Sequence, residues 1–286
     1  MKKFLALLLA LVMVFALAAC GESTTEPSTA PTTEATTEPS AEASTEPSDN
    51  AEAADFTTVE EGKLIMATNA AFPPYEMTDD NGNIVGIDPE IAAAIAEKLS
   101  LELVIDDMDF DGALLAVQNG RADMMLAGLS VTPDREAVMD FSDSYATGVQ
   151  VVIVTEDSDI ASADDLKGKL IGCQRGTTGY IYASDTPENG GYGEDAVIPY
   201  DNGITAVQAL QNGQVDAVII DNGPAQEFVA ANPGLKILDT PWVEEEYAIG
   251  LTKGNDALNT AINNALNELI EDGTVQSIID SYITAE

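Results

Sequence analysis

Two stretches of this chain are spelled almost alike, and they limit the fold more than any other feature. Residues 116–126 read AVQNGRADMML and residues 209–219 read ALQNGQVDAVI. In each, an apolar helical pattern ends at a glycine suited to the left-handed position that closes a helix. An aspartate then opens an apolar run, as expected of a strand buried on both faces. A helix, turn and strand used twice predict two similar α/β lobes; chance agreement among common helix-ending residues is the alternative.

The first copy gives a strand over 123–127 and runs on through Ala127, Gly128 and Ser130, small residues that leave backbone amides open. Such openings at the carboxyl ends of strands are where open α/β sheets bind small ligands. Thr132 is placed to cap a following helix, with Pro133 at its first position and Asp134 and Glu136 near its positive end. Beside these donors stands Arg135, one of 11 basic residues in a chain with 50 acidic ones and a formal charge of -39. A permanently charged, two-pronged donor there suits an anionic guest, most simply a carboxylate; an ion pair with a surface acid is the plainer reading. The second copy ends at Asp221, ahead of a helix expected to start at Pro224. Asp221 is either that helix's cap or the partner of a cation. If both residues serve a guest, one lobe offers a cation and the other an anion, and a free α-amino acid satisfies both.

Composition removes several function classes. There is no histidine, which excludes Ser-His-Asp and Cys-His catalysis and histidine-ligated zinc. No metal or cofactor is expected. Cys173 lies inside an apolar run and reads as a buried small side chain rather than a nucleophile. So acidic a surface repels nucleic acid and favours a soluble monomer.

At the amino end, Lys2 and Lys3 precede an apolar run over 4–17 and then Leu17, Ala18, Ala19 and Cys20. This reads as a signal peptide over 1–19. The last four residues resemble a bacterial lipobox, which implies acylation of Cys20 and an anchor on the extracytoplasmic face of the cell membrane. Residues 20–54 are Ser, Thr, Glu, Pro and Ala with few large apolar side chains, a tether rather than a domain.

From residue 55 the composition turns globular. Strands are expected over 63–68, 101–105, 149–155 and 170–174. Pro73 and Pro74 fix a turn presenting Phe72 and Tyr75. A hairpin turn is expected at Asp79 to Gly82, and a helix follows with Asp88 as its cap and Pro89 at its first position. Arg175 to Gly179 form a glycine- and threonine-rich link between strand and helix, suited to anions. The chain closes with an amphipathic helix over 256–269, broken at Gly273 and resumed to Tyr282.

Three motifs, GIDPEI at 86–91, GLSVTPDREAVMDFS at 128–142 and RGTTG at 175–179, make residues 63–282 resemble the extracellular solute-binding proteins, family 3, that serve polar amino acid ABC transporters. The resemblance implies two Rossmann-like lobes joined by a two-stranded hinge, the periplasmic binding protein-like II architecture. Lobe 1 would comprise 55–146 plus 246–286 and lobe 2 residues 147–245, with crossings near Ala146 and Glu245. It implies that Arg135 takes the ligand carboxylate, helped by Ser130, the Gly128 amide and Thr178. Asp221 would take the ammonium, Phe72 and Phe110 would wall the ligand's stem, and Asn69 and Gln174 would choose its side chain. An amide at Asn69, where some relatives carry an acid, favours a neutral polar amino acid such as glutamine or cystine; Arg175 could instead draw in an acidic one. The loaded protein would close and dock on a permease. Two rivals use the same fold: an amino-acid sensor or adhesin, and a dehydratase using carboxylates such as Asp109 and Asp111, which otherwise read as cap and turn residues.

Overall fold

The computed structural model describes residues 56–239 and 241–283. Its first half opens with β1 (Lys63–Thr68), whose last five residues are all buried. A small three-stranded sheet follows: β2 (Ala71–Phe72), β3 (Glu76–Thr78) and β4 (Ile84–Val85). Between β3 and β4 the Asp79 carboxylate accepts from the amides of Asn81 and Asn83, each at 2.8 Å, and Gly82 takes φ +84°. Then come α1 (Ile87–Lys98), β5 (Glu102–Asp107), α2 (Phe110–Gln118), β6 (Met124–Met125) and α3 (Pro133–Glu136). The strand expected over 123–127 is thus shorter than read, because the chain leaves the ladder where its small residues begin.

The long strand β7 (Asp140–Thr155) carries the chain into the second half. There β8 (Ile171–Gln174), α4 (Thr178–Ser184), β9 (Val197–Tyr200), α5 (Gly203–Gln211), β10 (Ala217–Asp221), α6 (Asn222–Ala231) and β11 (Leu235–Ile237) follow in turn. β12 (Val243–Leu251) returns to the first half, and α7 (Asp256–Glu271) and α8 (Thr274–Tyr282) close the fold around Gly273 at φ +83°.

Nine strands make one curled sheet in the order β5-β1-β6-β12-β7-β10-β8-β9, with β11 also on β7. β1 pairs in parallel with β5 and β6; β8 pairs in parallel with β9 and β10. Each half is therefore a parallel trio flanked by one antiparallel strand, β12 beside β6 and β7 beside β10. The two halves meet where β7 and β12 pair, with Ala146 opposite Tyr247 and Gly148 opposite Glu245. A side chain at Gly148 would strike the Tyr247 ring, so the two strands cross closely only because that position is bare.

The repeated stretches occupy equivalent places. α2 and α5 end before Gly120 (φ +62°) and Gly213 (φ +67°), and each is followed by an aspartate that holds a neighbouring strand. Asp123 accepts from the amide of Ile65 at 2.8 Å, and Asp216 from that of Leu170 at 2.8 Å. The residue chemistry thus repeats along with the path.

Asp88 does not cap α1. Gly86 holds that position, and the buried Asp88 side chain instead accepts from the Gly128 amide at 2.9 Å and the Tyr145 hydroxyl at 2.8 Å. An acid in the first turn of a helix can face the core when two donors wait there. Asp109 caps α2 by accepting from Gly112, and Thr132 caps α3 by accepting from Arg135. Cys173 is fully buried, and burial pushes its thiol up to about 12.

Candidate functional site

The carboxyl ends of β1, β6, β8 and β10 face one another across the junction of the halves, and a cavity lies between them. It is lined by Asn69, Phe72, Phe110, Gly128, Ser130, Arg135, Gln174, Thr178 and Asp221, together with Glu76, Ala127 and Thr177. All nine residues singled out in the sequence are therefore brought together. Arg175 is not among them: it is exposed, with its guanidinium 3.7 Å from Asp201.

Arg135 is buried, with 7% of its surface exposed. Its Nη1 donates to the Ser130 carbonyl at 2.7 Å and its Nη2 to the Gly176 carbonyl, in the other half, at 3.1 Å. The guanidinium carbon lies 5.5 Å from the centre of the Phe110 ring. Among the described residues, no carboxylate oxygen comes within 4.0 Å of its nitrogens, although five other lysine and arginine side chains have such partners. Burial draws its pKa down while the charges of Glu245, Tyr182 and Asp221 hold it up. A buried cation whose hydrogen bonds go to neutral carbonyls is costly unless an anion completes it.

Asp221 faces it from the second half. Although it stands at the start of α6, its side chain makes no capping bond. One oxygen accepts from Gln150 Nε2 at 2.7 Å and the other from the Tyr247 hydroxyl. Burial, with the charge of Glu245 adding to it, pushes the carboxyl up to about 7 against those two hydrogen bonds. Asp88 is likewise raised by burial, to about 6.

Gly128 serves the cavity differently from expectation. Its amide is committed to Asp88 rather than open to a guest. Its φ is +51°, and a side chain there would sit 2.7 Å from the Phe72 ring. What this position supplies is room. Ser130 and Thr178 both donate to Glu245 Oε2, at 3.2 Å and 2.8 Å. Asn69 and Gln174 join the halves directly, Gln174 Nε2 donating to Asn69 Oδ1 at 2.9 Å.

Four residues of the site escaped the sequence reading. Gln150 and Tyr247 set the Asp221 carboxyl, Glu245 is expected only as a crossing point, and Glu76 lines the cavity with its buried carboxyl beside that of Asp88. Burial first, then the charge of Asp88, raise Glu76 well above the usual carboxylate range. A polar residue inside the apolar run of β7 was a usable signal for Gln150. For Glu245 the signal was strand alternation, which places it on one face with Val243 and Tyr247, with Glu244 and Glu246 on the other.

The model of the bacterial extracellular solute-binding proteins, family 3, matches residues 64–285. The chain belongs to this family. It is similar to the arginine-binding extracellular protein ArtP of Bacillus subtilis, 32% identical over 291 aligned positions that cover 100% of both chains. The L-cystine-binding protein TcyJ of Escherichia coli K12 is 29% identical, over 79% of this chain and 85% of that one. Among solved structures, an ancestral arginine-binding protein bound to glutamine superposes with a TM-score of 0.73 at 38% identity, covering 79% of this chain and all of that one. The fold of family 3 is thus the fold found here, two α/β halves joined by β7 and β12. Among the described residues no helix is long and apolar enough to cross a membrane.

Proposed function

We propose that this chain is the substrate-binding component of an ABC importer and that its interlobe cavity captures a free L-amino acid. The observation that carries this reading is the buried Arg135 guanidinium without an acidic partner, facing the Asp221 carboxylate across the junction. An amino acid's carboxylate would complete the first and its ammonium the second. Charge-assisted hydrogen bonds contribute about 1.5–3 kcal/mol each, so the two clamps supply a large share of the roughly 8 kcal/mol that micromolar binding needs, and apolar contact supplies the rest. Phe72 and Phe110 would flank the stem. Closure is worth more to a loaded protein than to an empty one, because only the closed form presents both clamps together. Residues 55–146 with 246–286 and residues 147–245 would move as the two lobes, hinged at Ala146 and Glu245.

The paired amides of Asn69 and Gln174 support a neutral polar side chain. A cationic side chain is the second reading. It is favoured by the buried carboxyl of Glu76 on the cavity wall, which a cationic side chain would help to ionise, and ArtP is named for arginine. Delivery to a membrane permease, with Cys20 acylated and the tether over 20–54 giving reach, completes the proposal; Cys20 and that tether lie outside the described residues.

A thermal-shift screen of the protein with the twenty amino acids and cystine tests class and side chain together. Stabilisation by glutamine or cystine supports the first reading, stabilisation by arginine or lysine the second. Absence of any shift, with no heat on titration at millimolar concentrations, overturns the function.

A further inference from the structure

We propose that Glu245 is an internal carboxylate that competes with the amino acid's own carboxylate for Ser130 and Thr178, and thereby sets the affinity of the site. This rests on the reading that Arg135 receives the guest's carboxylate. Glu245 lies on β12 at the crossing of the halves, opposite Gly148, and is 9% exposed. Its Oε2 accepts from Ser130 Oγ in the first half at 3.2 Å, and from Thr178 Oγ1 and Gln150 Nε2 in the second at 2.8 Å and 3.0 Å. Its Oε1 is buried without a partner. Its negative charge is also the largest favourable influence on the Arg135 guanidinium.

A hydroxyl has one proton to donate. While Glu245 accepts from both Ser130 and Thr178, neither can donate to a guest, and a second carboxylate entering beside Arg135 meets a like charge at short range. Glu245 therefore ties the two halves through the donors that a guest's carboxylate would need. Binding exchanges one carboxylate for the other, and the net gain is smaller than the contacts alone would give. The acids that line the cavity do not stand in this position: Asp221 accepts from Tyr247 and Gln150, and Glu76 lies beside Asp88.

The test is calorimetric titration with the tightest-binding amino acid from the screen, on wild type, Glu245→Gln, Glu245→Ala and Arg135→Ala, and on Ser130→Ala in the wild-type and Glu245→Ala backgrounds. Both Glu245 variants are expected to bind about tenfold more tightly, the equivalent of roughly one charge-assisted hydrogen bond. Ser130→Ala should lower affinity less in wild type, where the guest must first take that proton from Glu245, than in the Glu245→Ala background, where no side-chain acceptor remains at that position. Two Glu245 variants guard against a folding defect in either, checked by circular dichroism. Unchanged or weaker binding in both, or an equal Ser130→Ala loss in the two backgrounds, overturns the competition. Should wild type bind nothing, or Arg135→Ala bind as wild type does, the underlying functional reading fails instead.

Discussion

The two halves of the sheet are built alike and finished differently. In both, a helix closes on a left-handed glycine, an aspartate seizes the amide of a neighbouring strand, and a short parallel strand follows. In the first half the chain leaves β6 through Ala127, Gly128 and Ser130 and turns into α3, which directs Arg135 inward. In the second half β10 ends on Asp221 itself, and α6 begins at the next residue. The shared part of the unit fixes where strand ends point. The unshared part decides which charge each end presents. A scaffold repeated once therefore brings a cationic and an acidic side chain to a single cavity, and the proposed function rests on that difference between the copies.

The largest effect expected on that comparison comes from removing the first half's charge. Arg135→Ala should lower amino-acid affinity by at least about 100-fold, the loss of two charge-assisted hydrogen bonds, while circular dichroism shows the fold intact. Unchanged calorimetric affinity would refute the assignment of the carboxylate to this residue. Removing the second half's charge should act on selectivity. Asp221→Asn is expected to cut the preference for an amino acid over its des-amino analogue by about tenfold or more; a variant that rejects the analogue as strongly as wild type would assign the ammonium elsewhere.

The scaffold part of the comparison should yield smaller, unequal effects on stability. Asp123 is buried and accepts from both Val59 and Ile65, whereas Asp216 is exposed and accepts from Leu170 alone. Asp123→Ala should cost about 2–3 kcal/mol and Asp216→Ala about 1 kcal/mol in urea denaturation. Equal costs would mean that the repeated aspartates do not act through these bonds.

The pH dependence tests a sign rather than a size. Asp221 and Asp88 titrate near 7 and 6 when folded, above the value of about 4 for an unfolded aspartate. The folded chain keeps protons that the unfolded chain releases, so stability without amino acid should fall as pH rises from about 4 to about 7. Affinity should move the other way, because an ionised Asp221 is the form that holds an ammonium. Melting temperatures and titrations taken across that interval should therefore trend in opposite directions. Asp221→Asn should flatten the affinity trend and reduce the stability trend, to which Asp88 and Glu76 still contribute, and parallel trends would count against the buried carboxyl.

Much of this was legible in the chain itself. The strand over 63–68, the hairpin at Asp79, the cap at Thr132, the break at Gly273 and the repeated unit each rest on local chemistry, and each is found where it was read. The nine cavity residues were legible because they sit at strand ends and in motifs tied to those ends. Misread positions depend on partners remote in sequence. Asp88 looks like a helix cap until Tyr145 and Gly128 are seen to meet it, and the Gly128 amide looks free until Asp88 takes it. Gln150 and Glu245 become site residues only when β7 and β12 cross, and no local pattern specifies that crossing.

The most direct measurement is calorimetric titration of the wild-type protein with one amino acid that it binds and with two analogues of it, one lacking the α-carboxylate and one lacking the α-amino group. If L-arginine is the ligand, agmatine and 5-guanidinopentanoic acid serve; if L-glutamine, 4-aminobutanamide and glutaramic acid. Each deletion is expected to weaken binding by about tenfold or more, since each removes one of the two charge clamps. Binding of either analogue as tight as that of the parent amino acid would contradict the account.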